Sequence, residues 1–255
     1  MKRFKTVHYT IHSNKIKDAR GIRFAVIADL HGMEFGPDNR KLLETIHRYR
    51  PDGILIAGDM IVRNDSASLK TASSLLRSLA QQYPVYYALG NHEYKLYRTD
   101  PQENCMAARY QEYEKELKTA GIHILHNESC SLQVGKTSLT VYGLEIPLIY
   151  YKKPFSPQLK REEIRELIGE PSSDSLNILL AHSPKYGDTY FDWGADLIPE
   201  RALSWRDCKN WQAQWAAFPT ASSISEVLLR RFPQEGTAYA GKRRSRGTHH
   251  TCKDP

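Results

Sequence analysis

One rhythm in this chain constrains its fold more than anything else. Short, almost wholly apolar runs end in a polar cluster and give way to amphipathic stretches. The runs are IRFAVIAD (22–29), DGILIAGD (52–59), PVYYALGN (84–91) and SLNILLAH (175–182). Their lack of polar alternation is that of strands buried on both faces, as in a mainly parallel sheet covered by helices. Between them, DNRKLLETIHRYR (38–50), SLKTASSLLRSLAQQY (68–83), ENCMAARYQEYEKELKTAG (103–121) and SPQLKREEIRELIG (156–169) carry helical periodicity. Asp38 reads as the N-cap of the first, and Gly121 closes the third. HILHNESCSLQVGKTSLTVYGLE (123–145) reads as strand, strand, turn at Gly135 and strand, an antiparallel meander. SSISEVLLRRF (222–232) reads as a helix. The pattern predicts an α/β fold with mixed sheets covered by helices.

The polar residues at the run ends carry the chemistry. Asp29 and His31, Asp59, Asn91, His92 and Glu93, and His182 each follow an apolar strand directly. Ligands of open α/β sheets bind at the carboxyl ends of strands, so these groups can meet in one crevice. Taken singly, each has a plainer explanation. Asp29 and Asp59 can cap the following helix, Gly90-Asn91 can be a turn, and His182 can be a structural histidine. Taken together, they offer carboxylate, amide and imidazole ligands without thiolate. That set suits Mn, Fe or Zn, and Mg less well.

The blocks AVIADLHG, PDGILIAGDM, YYALGNHE and LLAHSP resemble the first four signatures of the calcineurin-like metallophosphoesterase superfamily, in its bacterial phosphodiesterase-type branch. The resemblance covers about residues 20–197. It implies a four-layer α/β-β/α sandwich with two divalent metal ions bound between the sheets. It places Asp29 and His31 on the first metal and Asp59 across both. Asn91 and His182 fall on the second metal, with His92 beside the phosphate and off the metals. The implied reaction is hydrolysis of a phosphodiester, pyrophosphate or phosphomonoester by a hydroxide that the two metals make available, with His92 assisting the leaving group.

The family's fifth block, Gly-His-x-His, is missing where it belongs. No histidine lies between Ser183 and Thr248, and His249 and His250 come in the wrong order and too late. Codons permitted for Pro199–Lys209, read one base over, spell Leu-Ser-Gly-His-Ser-His-Gly-Gly-Ile-Val-Arg. That contains the missing block with its usual flanks. Thr248–Asp254 shifted the same way gives His-Thr-Ile-Pro-Val-Arg-Ile, which resembles the family's closing strand. The free bases were chosen, so this is compatibility; the coding DNA decides it. The expected organisation is therefore an incomplete metallophosphoesterase domain over 1–197, then a basic, out-of-frame and disordered tail over 198–255. Activity of such a chain is expected to be weak or absent.

That tail also carries most of the net charge of +7. Residues 198–255 hold ten basic against five acidic side chains, and three of the four tryptophans. The excess thus argues for a solvated tail, not a nucleic-acid surface, and disfavours a nuclease. Scattered cysteines at 105, 130, 208 and 252, with no C-x-x-C pair, point to a reducing, cytoplasmic setting. No apolar run of membrane-spanning length occurs. EIPLIYYKKPF (145–155) is aromatic and basic and leaves peripheral contact with a membrane open, although an ordinary loop explains it as well. The expected partner is a small phosphorylated substrate. The alternative is a catalytically impaired metal-binding or scaffold relative.

Overall fold

The computed structural model describes residues 4–17, 20–152 and 155–199, with the backbone of 223–231. Strands β1 (Phe4–His12), β2 (Ile22–Ile27), β3 (Gly53–Ala57), β4 (Val85–Ala88), β5 (His123–Ile124) and β9 (Ser223–Arg231) form one sheet in the order β1-β9-β2-β3-β4-β5. Strands β6 (Ser129–Val134), β7 (Thr137–Leu144) and β8 (Leu176–Ala181) form a second sheet, β6-β7-β8. β2, β3, β4 and β5 run parallel to their neighbours. Helices α1 (Arg40–Tyr49), α2 (Ser66–Ala80), α3 (Asn91–Tyr97) and α4 (Cys105–Thr119) belong to the first half. α5 (Arg161–Ile168) and α6 (Gly187–Trp193) belong to the second.

Three apolar cores separate four layers. Ala25, Ile27, Ile54, Ile56, Val85 and Tyr87 face α1, α2 and α4 across the outer side of the large sheet. Their chain neighbours Phe24, Val26, Leu55, Tyr86 and Ala88 face the other way. They meet Leu139, Val141, Leu176, Ile178 and Leu180 of the small sheet. Leu144, Leu179 and Ala181 then cover the opposite side of that sheet, against Ile164 of α5 and Tyr190 and Trp193 of α6. Both faces of the central strands are therefore buried, which is why their sequences show no alternation. This is the four-layer α/β-β/α sandwich.

Three expectations are corrected, and one strand is added. Residues 223–231 form strand β9, not a helix. β9 pairs antiparallel with β1 along its full length and parallel with β2, so ladder bonds on both sides outweigh a short helical period. β1, unassigned from sequence, exists as a strand through the same pairing. The stretch 123–145 is not one meander: β5 joins the large sheet beside β4, while β6 and β7 form an antiparallel hairpin in the small one. Asp38 does not cap α1. Asn39 holds that position in a left-handed conformation, and its side chain accepts from the Phe35 backbone N–H at 2.9 Å. Beyond Pro199, except for β9, the expectations for 198–255, including the shifted fifth block, lie outside the described residues.

Candidate metal centre

The loops after β2, β3, β4 and β8 converge, as the positions of their polar residues require. The first two are zipped together by backbone. Asp29 N–H donates to the Gly58 carbonyl (3.1 Å), His31 N–H to Asp59 (3.0 Å) and Gly32 N–H to Met60 (2.8 Å). The loops after β3 and β4 are joined by two glycines. Gly58 has φ of +81°, and a Cβ there would stand 2.4 Å from Gly90 Cα. A Cβ on Gly90 would stand 2.2 Å from the Asp59 carboxylate. Only glycine permits that approach, which sets Asn91 and His92 beside Asp59. Asp29, His31 and Asp59 themselves have φ of 53°, 48° and 53°. Left-handed backbone in non-glycine residues is costly, and here it clusters at one site.

Asp59 is the hub. It is almost fully buried, and its Oδ1 accepts the His92 backbone N–H at 2.9 Å. Oδ2 lies 3.2 Å from His182 Nε2 and 3.9 Å from His31 Nε2. His31 Nε2 also lies 3.3 Å from Asp29 Oδ1, and the His31 and His92 rings meet edge-on at 5.2 Å. Two groups each bring their ligand atoms within 4.8 Å of one another: Asp29, Asp59 and His182, and His31, Asp59 and His92. Asn91 begins α3 between Gly90 and His92, both of which touch Asp59.

The histidines are poised differently. His182 Nδ1 donates to the Ala57 carbonyl at 2.8 Å, which turns Nε2 toward Asp59. Burial lowers the His182 pKa, but the Asp59 carboxylate and the Ala57 carbonyl outweigh it and raise it to about 9. Burial also works to raise the Asp59 pKa, yet His182 and His92 hold it below the usual carboxylate range. The bond to Asp29 raises the pKa of His31 against burial. For His92 burial dominates and lowers the pKa, so the ring favours its neutral form. Its Nδ1 accepts from the Arg63 backbone N–H at 3.0 Å, leaving the proton on Nε2.

Residues 22–210 match the calcineurin-like phosphoesterase family. The chain belongs to that family. A Caenorhabditis elegans protein named as a candidate metallophosphoesterase is 30% identical over 193 residues, covering 69% of this chain. The aligned region is 36% of that relative, so the chain spans about a third of its length. Two solved structures align more loosely. The phosphopantetheinyl hydrolase of Mycobacterium tuberculosis is 14% identical with a TM-score of 0.42, over 88% of this chain and all of that one. The NAD nucleotidase of Haemophilus influenzae is 15% identical with a TM-score of 0.39, over 76% and 37%.

The residues of the candidate site fit divalent cations, which the family generally binds. Ligand atoms each about 2.1 Å from one cation stand about 3–3.4 Å apart. The Asp29–His31 and Asp59–His182 separations of 3.3 and 3.2 Å match. His182 Nε2 is buried, with Asp59 Oδ2 at 3.2 Å as the charged group beside it. A proton between His182 and Asp59 satisfies the charge that a metal ion would satisfy in its place.

Glu93, quoted in the third block but given no role from sequence, supports this site from beneath. Its fully buried carboxylate accepts the backbone N–H groups of Asp59 (3.0 Å), Met60 (2.6 Å) and Ile61 (3.2 Å), and the Tyr87 hydroxyl (2.8 Å). Burial, then the Asp59 charge, raise its pKa to about 7. The signal was an acidic residue one turn into a helix that opens against a buried strand. Among the described residues, no helix is long and apolar enough to cross a membrane.

Proposed function

We propose that the chain is built to hydrolyse a phosphodiester, pyrophosphate or phosphomonoester of a small substrate, using two divalent cations. The observation that carries this is the single carboxylate of Asp59, shared between facing imidazoles of His31 and His182. A carboxylate so placed can lie between two cations and reduce their mutual repulsion. Bound there, the cations would lower the pKa of water and screen the phosphate's charge. Mn, Fe or Zn suit these donors best. Asp29 and His31 are assigned to one cation, Asn91 and His182 to the other. Asn91 contributes a neutral oxygen, so the site keeps positive charge for an anionic substrate.

His92 is assigned a different task. A neutral ring with its proton on Nε2 can donate to the leaving oxygen. The Arg63 N–H to Nδ1 bond fixes that tautomer and the ring's direction.

A second reading rests on the histidine gap between Ser183 and Thr248, which leaves the family's fifth block without a counterpart. On that reading the chain binds metal without turnover. Hydrolysis of bis-p-nitrophenyl phosphate with Mn²⁺, with and without a restored Gly-His-x-His block, separates the two. Turnover in the restored chain alone favours impairment of this polypeptide. Turnover in neither removes the phosphoesterase reading.

A further inference from the structure

We propose that the Tyr151 hydroxyl is a substrate-contacting group, donating a hydrogen bond to a phosphoryl oxygen bound beside His182. The proposal rests on the phosphoester reading above. Tyr151 ends the 3-10 turn Leu148–Tyr151, on the segment that leaves β7. That turn is pinned from outside the site. Tyr150 is buried in the outer core, where its hydroxyl donates to Glu163 of α5. Its carbonyl accepts the Tyr186 hydroxyl at 3.0 Å. The turn also packs against α3, the helix that carries Asn91 and His92.

With Tyr150 committed to the core, its neighbour faces the metal centre. The Tyr151 ring lies 6.3 Å from the His182 ring, tilted by 33°. Tyr151 is half-buried, and its raised pKa is caused first by burial and then by the nearby Asp59 carboxylate. A phenol is a protonated donor at neutral pH even in water.

Among the described residues the Tyr151 hydroxyl makes no side-chain hydrogen bond, and it is not sealed from solvent. An incoming ligand can therefore take it as a donor without displacing a protein partner. Structural demand alone does not call for an oxygen at this position, since phenylalanine would give the same packing. The metal ligands are carboxylates, an amide and imidazoles. The phenol therefore adds a neutral donor that meets a phosphoryl oxygen without repelling it.

The test uses the full chain loaded with Mn²⁺, and measures inorganic phosphate binding by calorimetry beside Mn²⁺ affinity and thermal midpoint. Tyr151→Phe is expected to weaken phosphate binding about tenfold, the size of a lost bond to a charged acceptor, with Mn²⁺ affinity and midpoint unchanged. Tyr150→Phe, which removes the bond to Glu163, is expected to leave phosphate affinity as it is. The proposal is overturned if Tyr151→Phe binds phosphate as well as the parent. It is equally overturned if Tyr150→Phe weakens binding as much, because the turn's position and not the hydroxyl would then matter. A parent chain that binds Mn²⁺ but no phosphate also overturns it. Failure to bind either one is instead the failure of the phosphoester reading, and takes this proposal with it.

Discussion

Glu93 holds Asp59 in place through the backbone. Its carboxylate accepts N–H groups from Asp59 and the two residues after it, while the Asp59 side chain in turn accepts the N–H of His92, Glu93's own neighbour. The start of α3 and the loop after β3 are thus clasped in both directions, with the would-be ligand inside the clasp. Removing the Glu93 carboxylate leaves three buried N–H groups without an acceptor. Glu93→Ala is expected to cost about 2–4 kcal/mol of stability, read from urea denaturation. A loss under about 1 kcal/mol would show that water or a local shift replaces the carboxylate.

Among the described residues, Asp59 is the one carboxylate grouped with His31 and His92 and also with His182. Asp59→Asn keeps the shape and removes the charge. Mn²⁺ affinity measured by calorimetry is expected to fall more than about 100-fold, beyond the effect of losing a supporting residue. Unchanged affinity would mean that the metal, if bound, sits elsewhere.

His92 is expected to behave in the opposite way. His92→Ala should lower turnover of bis-p-nitrophenyl phosphate by about 100-fold or more in the chain with the restored block, while metal content by elemental analysis stays nearly full. Loss of metal in this variant would make His92 a ligand, which its place in the His31–Asp59–His92 group allows geometrically.

A second charged cluster, around His126, sets a pH dependence of stability. His126 Nδ1 meets Glu145 and its Nε2 meets Glu114, each at 2.8 Å, with Lys118 also on Glu114 and Tyr97 stacked on the ring. Burial lowers the His126 pKa, but the two carboxylates outweigh it and raise it to about 9. The folded value lies above the ordinary 6.5, so the stabilisation is complete below about pH 6.5 and is lost as pH rises through 9. The unfolding free energy from denaturant titration should fall between pH 6.5 and 9.5 by about 2–3 kcal/mol. His126→Gln should flatten that slope; an equal slope in the variant would place the titration on another group.

Most of the centre was legible because it obeys a positional rule: Asp29, Asp59, Asn91 and His182 stand where apolar strands stop. The support around it was not legible. Glu93 works by accepting N–H groups from a loop 32 to 34 residues earlier in the chain, a pairing no local pattern encodes. Tyr151 lies in a stretch whose aromatic run reads equally well as loop or lid, and only the sheet geometry brings it to His182. β9 was missed for a related reason. A strand that owes its form to two partners distant in sequence gives little sign of itself in its own residues.

The left-handed backbone at Asp29, His31 and Asp59 ties folding and chemistry to the same three positions. An L-residue with a side chain gives up about 1–2 kcal/mol there relative to glycine. Glycine at any of the three would therefore relax the loop while deleting a candidate ligand. The centre persists at the expense of the fold that carries it, and selection for stability alone would erode it first at these residues.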